Sequence, residues 1–196
     1  MIGVRDVRLR EWRARDAPAV LRAFEAPDLR TQAAWPVVTL KDAEGWIASW
    51  AGVGHAFAVT IDDVVVGNVA VVGIDAHDNG WVSYWVVPEA RGRGVAVAAT
   101  ELLARWAFEE RGLFRLELAH RTNNPASCRV ATKAGFLTEG IERGKVRHDG
   151  LRYDVERHAR LATDPPGATH SVTFTSPMAR WSGARVGRFP GQEVAG

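Results

Sequence analysis

Pro88 to Gly112 reads PEARGRGVAVAATELLARWAFEERG, and YWVV stands just before it. A β-prone run stopped by proline, a glycine-rich turn and a long run of strong helix formers leave few folds open. The stretch predicts strand, tight turn and helix, with Gly112 as the helix stop. The first four N–H groups of a helix have no internal partner. The helix dipole adds partial positive charge there, worth about 0.3–2 kcal/mol to a bound anion. Gly92 and Gly94 let the backbone approach an anion without a Cβ in the way, and Arg91 and Arg93 add forked donors. From the glycines alone, a phosphate cradle and a plain turn with solvated arginines both fit. Two common phosphate loops do not. G-x-x-x-x-G-K-[ST] fails because no Lys-Ser or Lys-Thr follows, and G-x-G-x-x-G/A fails at Val97.

The flanking sequence builds a mixed sheet around this unit. Val4 to Trp12 alternates apolar and polar residues as a strand does. Asp16 is a candidate N-cap for a helix to about Glu25, and Thr39 with Asp42 resembles a capping box for a helix to about Ala51. HAFAVTIDDVVVGNVAVVGID predicts two strands joined at Asp62-Asp63, and GWVSYWVVP a third. LFRLELAH is a further strand with Phe114, Leu116 and Leu118 on one face. Asn124-Pro125 opens another helix, as N-cap and first helical position, and Gly135 ends it. Two strands around His148-Asp149-Gly150 close the body. The order β-α-α-β-β-β-α-β-α-β-β predicts an α/β fold with helices on the faces of the sheet. Residues 1–161 are the expected domain. Residues 162–196 are rich in Pro, Gly, Ser and Thr and are expected to form a loosely packed tail, pinned in places by Phe174, Trp181 and Phe189.

Composition removes several function classes. The net charge is +2 over 196 residues with no block of like charge, which argues against a nucleic-acid partner. No apolar stretch approaches the ~20 residues of a membrane span, and the start reads as no signal peptide, so a cytoplasmic protein without membrane contact is expected. Cys128 is the only cysteine, which excludes an intramolecular disulfide and a cage of several cysteines; no metal is expected.

Three ordered motifs change the weight of the glycine turn: YWVVPEARGRGVA, NPASCRVATKAGF and EGIERGKVRHDGLRYDV. Together they resemble the GNAT superfamily of acyl-CoA-dependent N-acyltransferases, in its RimJ/RimL-like branch, over Val4 to Leu161. The resemblance implies a mostly antiparallel sheet of about seven strands, a splayed central strand pair and four helices. It implies acetyl-CoA as co-substrate, with Arg91, Gly92, Arg93, Gly94, Val95 and Ala96 on its pyrophosphate. Trp85, Val86 and Val87 would lie along the pantetheine arm. Asn124 would contact coenzyme A, and Ser127 would donate to the departing thiolate. Asn124 also reads as a plain helix cap and Ser127 as an ordinary first-turn serine.

Relatives often carry E-x-G-Y-W on the strand before the glycine turn. Here Trp81 stands for the Glu and Ser83 for the Gly, so the general base is open. His77, Asp78, His120 and Glu142 are candidates, with His120 best placed, since histidine titrates near neutrality. His120 reads equally as a histidine bonded to backbone. Trp35, beside Pro36, is the expected acceptor contact, with His77 a second. Trp46, Trp50, Arg147 and His148 would line the same pocket. The implied activity is acetyl transfer to a primary amine, a protein N-terminus or a small molecule, by direct attack. Another acyl group such as succinyl, and a non-catalytic acyl-CoA-binding module, are the alternatives. A homodimer is compatible with the family.

Overall fold

The computed structural model describes residues 6–148, 150–165 and 167. The chain runs β1 (Val7–Glu11), α1 (Ala17–Ala23), α2 (Leu40–Ala48), β2 (Gly54–Ile61), β3 (Val64–Val72), β4 (Asn79–Val86) and α3 (Val95–Glu109). It continues through β5 (Arg115–Arg121), α4 (Pro125–Lys133), β6 (Leu137–His148) and β7 (Leu151–Leu161). This is the order expected from the sequence. The strands form one seven-stranded sheet, β1-β2-β3-β4-β5-β7-β6. Every pairing is antiparallel except β4 with β5.

Local chemistry explains the elements. Asp62 and Asp63 both take positive φ (50° and 61°), the conformation a tight two-residue hairpin requires. Thr39 accepts from the Asp42 amide at 3.2 Å, while the Asp42 carboxylate accepts from the Thr39 amide at 2.8 Å, so the capping box forms. Asp16 precedes α1 as expected but does not cap it. Its carboxylate turns back to Arg10 (2.6 and 2.8 Å) and to the Arg13 amide (2.9 Å), because a half-buried, forked guanidinium is the stronger partner. α2 ends at Ala48 rather than near Ala51, where the chain turns into Gly52 at φ 79°. Phe114 lies before β5 and is 50% exposed, so it does not join Leu116 and Leu118 in the core.

Each face of the sheet carries its own core. α3 and α4 cover one face, packing Val97, Leu102, Leu103 and Ala131 with Val59, Val69, Val71, Leu116 and Leu118. α1 and α2 cover the other, where Phe24, Trp46 and Trp85 interlock with Trp12 and Trp50. Their rings meet at centroid distances of 5.2 to 6.3 Å, mostly edge to face. Gly67 on β3 lies against the Trp85 carbonyl, where a Cβ would collide with backbone. Asp149 of the β6–β7 turn lies outside the described residues. So does most of the expected tail, including Phe174, Trp181 and Phe189.

His55 on β2 packs edge-on against Trp106 of α3, with centroids 4.9 Å apart. Burial, and then the nearby Arg111 charge, push its pKa from the usual 6.5 down to about 4. The folded value lies below the unfolded one. As pH falls from 6.5 toward 4, the unfolded chain therefore gains a proton that the folded chain does not. This contribution is intact above pH 6.5 and is lost through that window. His55→Phe keeps the ring contact and removes the titration. Thermal midpoints measured from pH 7 to pH 4 should fall less steeply in the variant; an identical slope would rule out His55 as a cause.

Candidate active site

β4 and β5 touch over three residue pairs only: Asn79 with Arg115, Gly80 with Leu116, and Trp81 with Glu117. Past Trp81 the two strands separate. Val82 to Val86 remain paired with β3 on the other side, and Leu118 to Arg121 with β7. A wedge therefore opens inside the sheet. Backbone N–H and C=O groups on its walls need partners, and the gap is where an extended ligand can supply them. The splayed central pair expected from the sequence is present.

Because β4 and β5 run parallel, both end at the open side of the wedge, and each leads into a helix start. Crevices at the carboxyl ends of diverging parallel strands are the usual ligand sites of such sheets. β4 leads through Pro88–Ala90 and Arg91–Gly94 to α3. Gly92 and Gly94 take φ of 72° and 77°, the left-handed region that favours glycine. A Cβ added at Gly92 would meet nothing within 4 Å, so its surface is open. Gly94 caps α3 with no side-chain acceptor, leaving the first-turn amides of Val95, Ala96 and Val97 unengaged within the helix. Arg91 donates to the Val86 carbonyl at 2.9 Å and pairs with Asp28, before α2, at 2.7 Å. Arg93 is exposed.

β5 leads to Asn124, which caps α4 by accepting from the Ser127 amide at 3.2 Å. The cap and the half-buried Ser127 hydroxyl thus sit at the second helix mouth. Sequence reasoning missed Tyr84 on β4. Its hydroxyl is buried without a formed hydrogen bond, and Ser127 lies close enough to influence its ionisation. Burial pushes the Tyr84 phenol up, so it is a neutral donor at pH 7. The signal lay in the strand period, because Val82, Tyr84 and Val86 pack toward α3, but only the tertiary fold brings α4 to them.

The other expected residues separate. Trp85 is 5% exposed and its ring belongs to the aromatic core, so only its backbone borders the wedge. Trp35 is 39% exposed in the loop before α2, whereas Trp46 is core. His77 and Asp78 precede Asn79, at the closed end of the wedge. At about 3.3 Å per strand residue, β4 carries them about 25 Å from the glycine turn. Trp81 faces the α1 side beneath the Arg157 guanidinium, 4.4 Å from its ring centre. The carboxylate level with it is Glu117, held by Arg115 at 2.8 Å and Arg157 at 2.6 Å. Glu142 pairs with Lys145 at 3.0 Å. On the late hairpin Arg147 is exposed and His148 half-buried. His120 is 1% exposed; its Nδ1 meets the Arg121 carbonyl at 2.9 Å and its Nε2 meets His158 Nε2 at 3.0 Å. No nitrogen of His120 is left for an incoming amine. Burial, and then the neighbouring His120, hold the His158 imidazole below its ordinary pKa.

Residues 6–137 match the family described as the Acetyltransferase (GNAT) domain. The chain belongs to the GNAT acetyltransferase family. Among curated relatives it is 33% identical over 105 residues to "Probable N-acetyltransferase YjcK" of Bacillus subtilis, a match covering 53% of this chain and 58% of that protein. It is 25% identical over 112 residues to the "Ribosomal-protein-serine acetyltransferase" of Escherichia coli, covering 56% and 62%. The matched region thus spans less than two thirds of either relative. Among solved structures, RimJ of Mycobacterium smegmatis, in complex with CoA-disulfide, superposes with a TM-score of 0.72 at 27% identity. That match covers 80% of this chain and 82% of RimJ. The likeness to RimJ and to a ribosomal-protein acetyltransferase is in keeping with the RimJ/RimL-like resemblance of the three motifs.

The glycine turn is open to direct challenge. Gly94→Glu would put a carboxylate where a pyrophosphate would sit and should weaken acetyl-CoA binding by ~10-fold or more, about 1.4 kcal/mol. Gly94→Ala is the control, because it carries only the left-handed strain of about 1–2 kcal/mol in folding. Calorimetric titration of both variants separates charge from strain; equal affinities for wild type and Gly94→Glu would exclude the turn.

Proposed function

We propose that this chain is an acetyl-CoA-dependent N-acetyltransferase acting on a primary amine, with a protein N-terminus as the favoured acceptor. The observation that carries the reading is the wedge between β4 and β5, with the uncapped mouth of α3 and the Asn124-capped mouth of α4 at its open end. One mouth suits the pyrophosphate: the amides from Gly92 to Ala96 lie there, the Arg91 amide being held by the Pro88 carbonyl, and Arg93 is exposed to add charge. The wedge side of β4 at Trp85, Val86 and Val87 suits the pantetheine arm, although the Val87 amide donates to Val66 at 2.9 Å and the Val86 carbonyl accepts from Arg91. The other mouth, with Asn124 and Ser127, suits the thioester end. An α-amine acceptor is favoured because its pKa near ~8, against ~10.4 for lysine, leaves more of it neutral at pH 7–8. A ribosomal-protein acetyltransferase among the relatives fits a protein acceptor.

In this reading the neutral amine attacks the thioester carbonyl carbon and the new C–N bond forms. A wedge-lining N–H holds the developing oxyanion. The C–S bond then breaks, its electron pair leaves on sulfur, and the Ser127 hydroxyl delivers a proton to it. Tyr84, buried beside Ser127, restores the hydroxyl's proton. The ammonium proton left on the product returns through water to Tyr84, which closes the cycle. Most of the acceleration comes from holding amine and thioester together. The base role expected of His120 is not carried forward, because both its nitrogens are engaged inside the protein.

A second reading, an acyl-CoA-binding module without turnover, is favoured by one observation. The carboxylate level with Trp81 is doubly paired with arginines rather than free. Thiol release from acetyl-CoA decides between them, measured against N-terminal peptides, lysine peptides, polyamines, aminoglycosides and an amine-free control. Release with N-terminal peptides supports the proposal. Tight acetyl-CoA binding with silence across the panel supports the module.

Ser127→Ala should lower kcat by about 10²-fold with little change in KM for acetyl-CoA, since the Asn124 cap binds the Ser127 amide and survives. Tyr84→Phe should act in the same direction and less strongly. An unaltered kcat in Ser127→Ala would remove that residue from the chemistry.

A further inference from the structure

Beneath α4, four side chains with metal-binding chemistry meet: His120 on β5, Cys128 on α4, and Glu156 and His158 on β7. One ligand atom from each falls within 4.8 Å of all the others. The two imidazoles are 1% and 0% exposed, while Cys128 and Glu156 are half-buried at the edge.

Hydrogen bonding fixes the tautomers. The Arg121 carbonyl can only accept, so His120 Nδ1 carries the proton. The Glu156 carboxylate can only accept, so the Thr138 hydroxyl donates to its Oε1 at 3.4 Å. Thr138 must then accept from His158, whose Nδ1 at 3.3 Å carries a proton as well. Neutral rings in these tautomers present two Nε2 lone pairs to each other at 3.0 Å. Two lone pairs repel at that distance unless a positive centre lies between them. Glu156 Oε2 completes the arrangement, 3.5 Å from one Nε2 and 3.8 Å from the other. Ligand atoms around a tetrahedral zinc ion, with bonds of about 2.0–2.3 Å, lie about 3.3–3.7 Å apart. Histidines whose outer nitrogens are fixed by a carbonyl and a hydroxyl have the usual support of metal ligands.

We propose that this cluster is a binding site for one divalent ion of the zinc class, held by His120 Nε2, His158 Nε2, Cys128 Sγ and Glu156 Oε2. A thiolate and a carboxylate balance the ion's two charges, and the Cys128 thiol proton is released on binding. Four protein ligands close the coordination shell, so the ion is structural rather than catalytic. It would pin the first turn of α4, which carries Asn124 and Ser127, to β5 and β7. The single cysteine excludes a cage of several cysteines but not this mixed set. The site stands independently of the acyl-transfer reading.

The test titrates metal-free full-length protein with Co(II), then displaces it with Zn(II). The expected result is one equivalent per chain, visible ligand-field bands of tetrahedral intensity and a thiolate-to-cobalt charge-transfer band. Cys128→Ser should lose the charge-transfer band, and His158→Gln should bind at least ~10-fold more weakly. Thermal melts of both variants without metal check that they fold. No stoichiometric uptake would overturn the proposal and leave a shared proton between the rings. Uptake without the thiolate band, or equal uptake in both variants, would place the ion elsewhere and overturn it too.

Discussion

The hydrogen-bonding demand of the peptide backbone governs this molecule. A strand inside a sheet expects partners on both sides, and β4 loses one side after Trp81. Nothing in the interior of a sheet tolerates such a gap for free, since each unpaired amide or carbonyl must find water or a ligand. The surrounding architecture keeps the gap from closing. β3 and β7 hold the outer edges of β4 and β5, so neither strand can swing across. α3 and α4 begin where the strands end, α3 with first-turn amides that no side chain caps and α4 with Asn124 as its cap.

The two faces divide the labour. On one, α3 locks β1 through β5 into a single apolar core, which makes the glycine turn a fixed mouth rather than a floppy loop. On the other, five aromatic rings fill the space between α1, α2 and the end of β4. Trp85 belongs to that cluster, so the strand edge beside the wedge is anchored by a large buried side chain. Trp12 also donates its indole N–H to Asn68 at 3.0 Å, tying the first strand end to β3. Arg91 joins the halves, reaching from the glycine turn to Asp28 on the α1–α2 connection.

Much of this was readable before any coordinates. Asp62-Asp63, Thr39 with Asp42, Gly94 and Asn124-Pro125 each act through neighbours in sequence, and each formed the turn or cap expected of it. What the sequence left hidden depended on distance in space. His77 is close to Trp81 in sequence, yet an eight-residue strand puts it at the opposite end from the glycine turn. Asp16 had the right position for a cap, but Arg10 across the turn outcompeted the helix. His120 looked like an available imidazole until β7 placed His158 against it. Tyr84 was passed over because only packing brings α4 beside β4.

The pairing of Glu117 has a wider meaning for a transferase built this way. Where a free carboxylate would have stripped protons from any amine that fitted, this chain has a tryptophan under one guanidinium and a glutamate clasped by two. On the proposed acyl-transfer reading, losing the amine's first proton would fall to the acceptor itself. Amines would then be sorted by their own basicity before they are sorted by shape, and a strongly basic side chain would be a poor acceptor even in a roomy pocket.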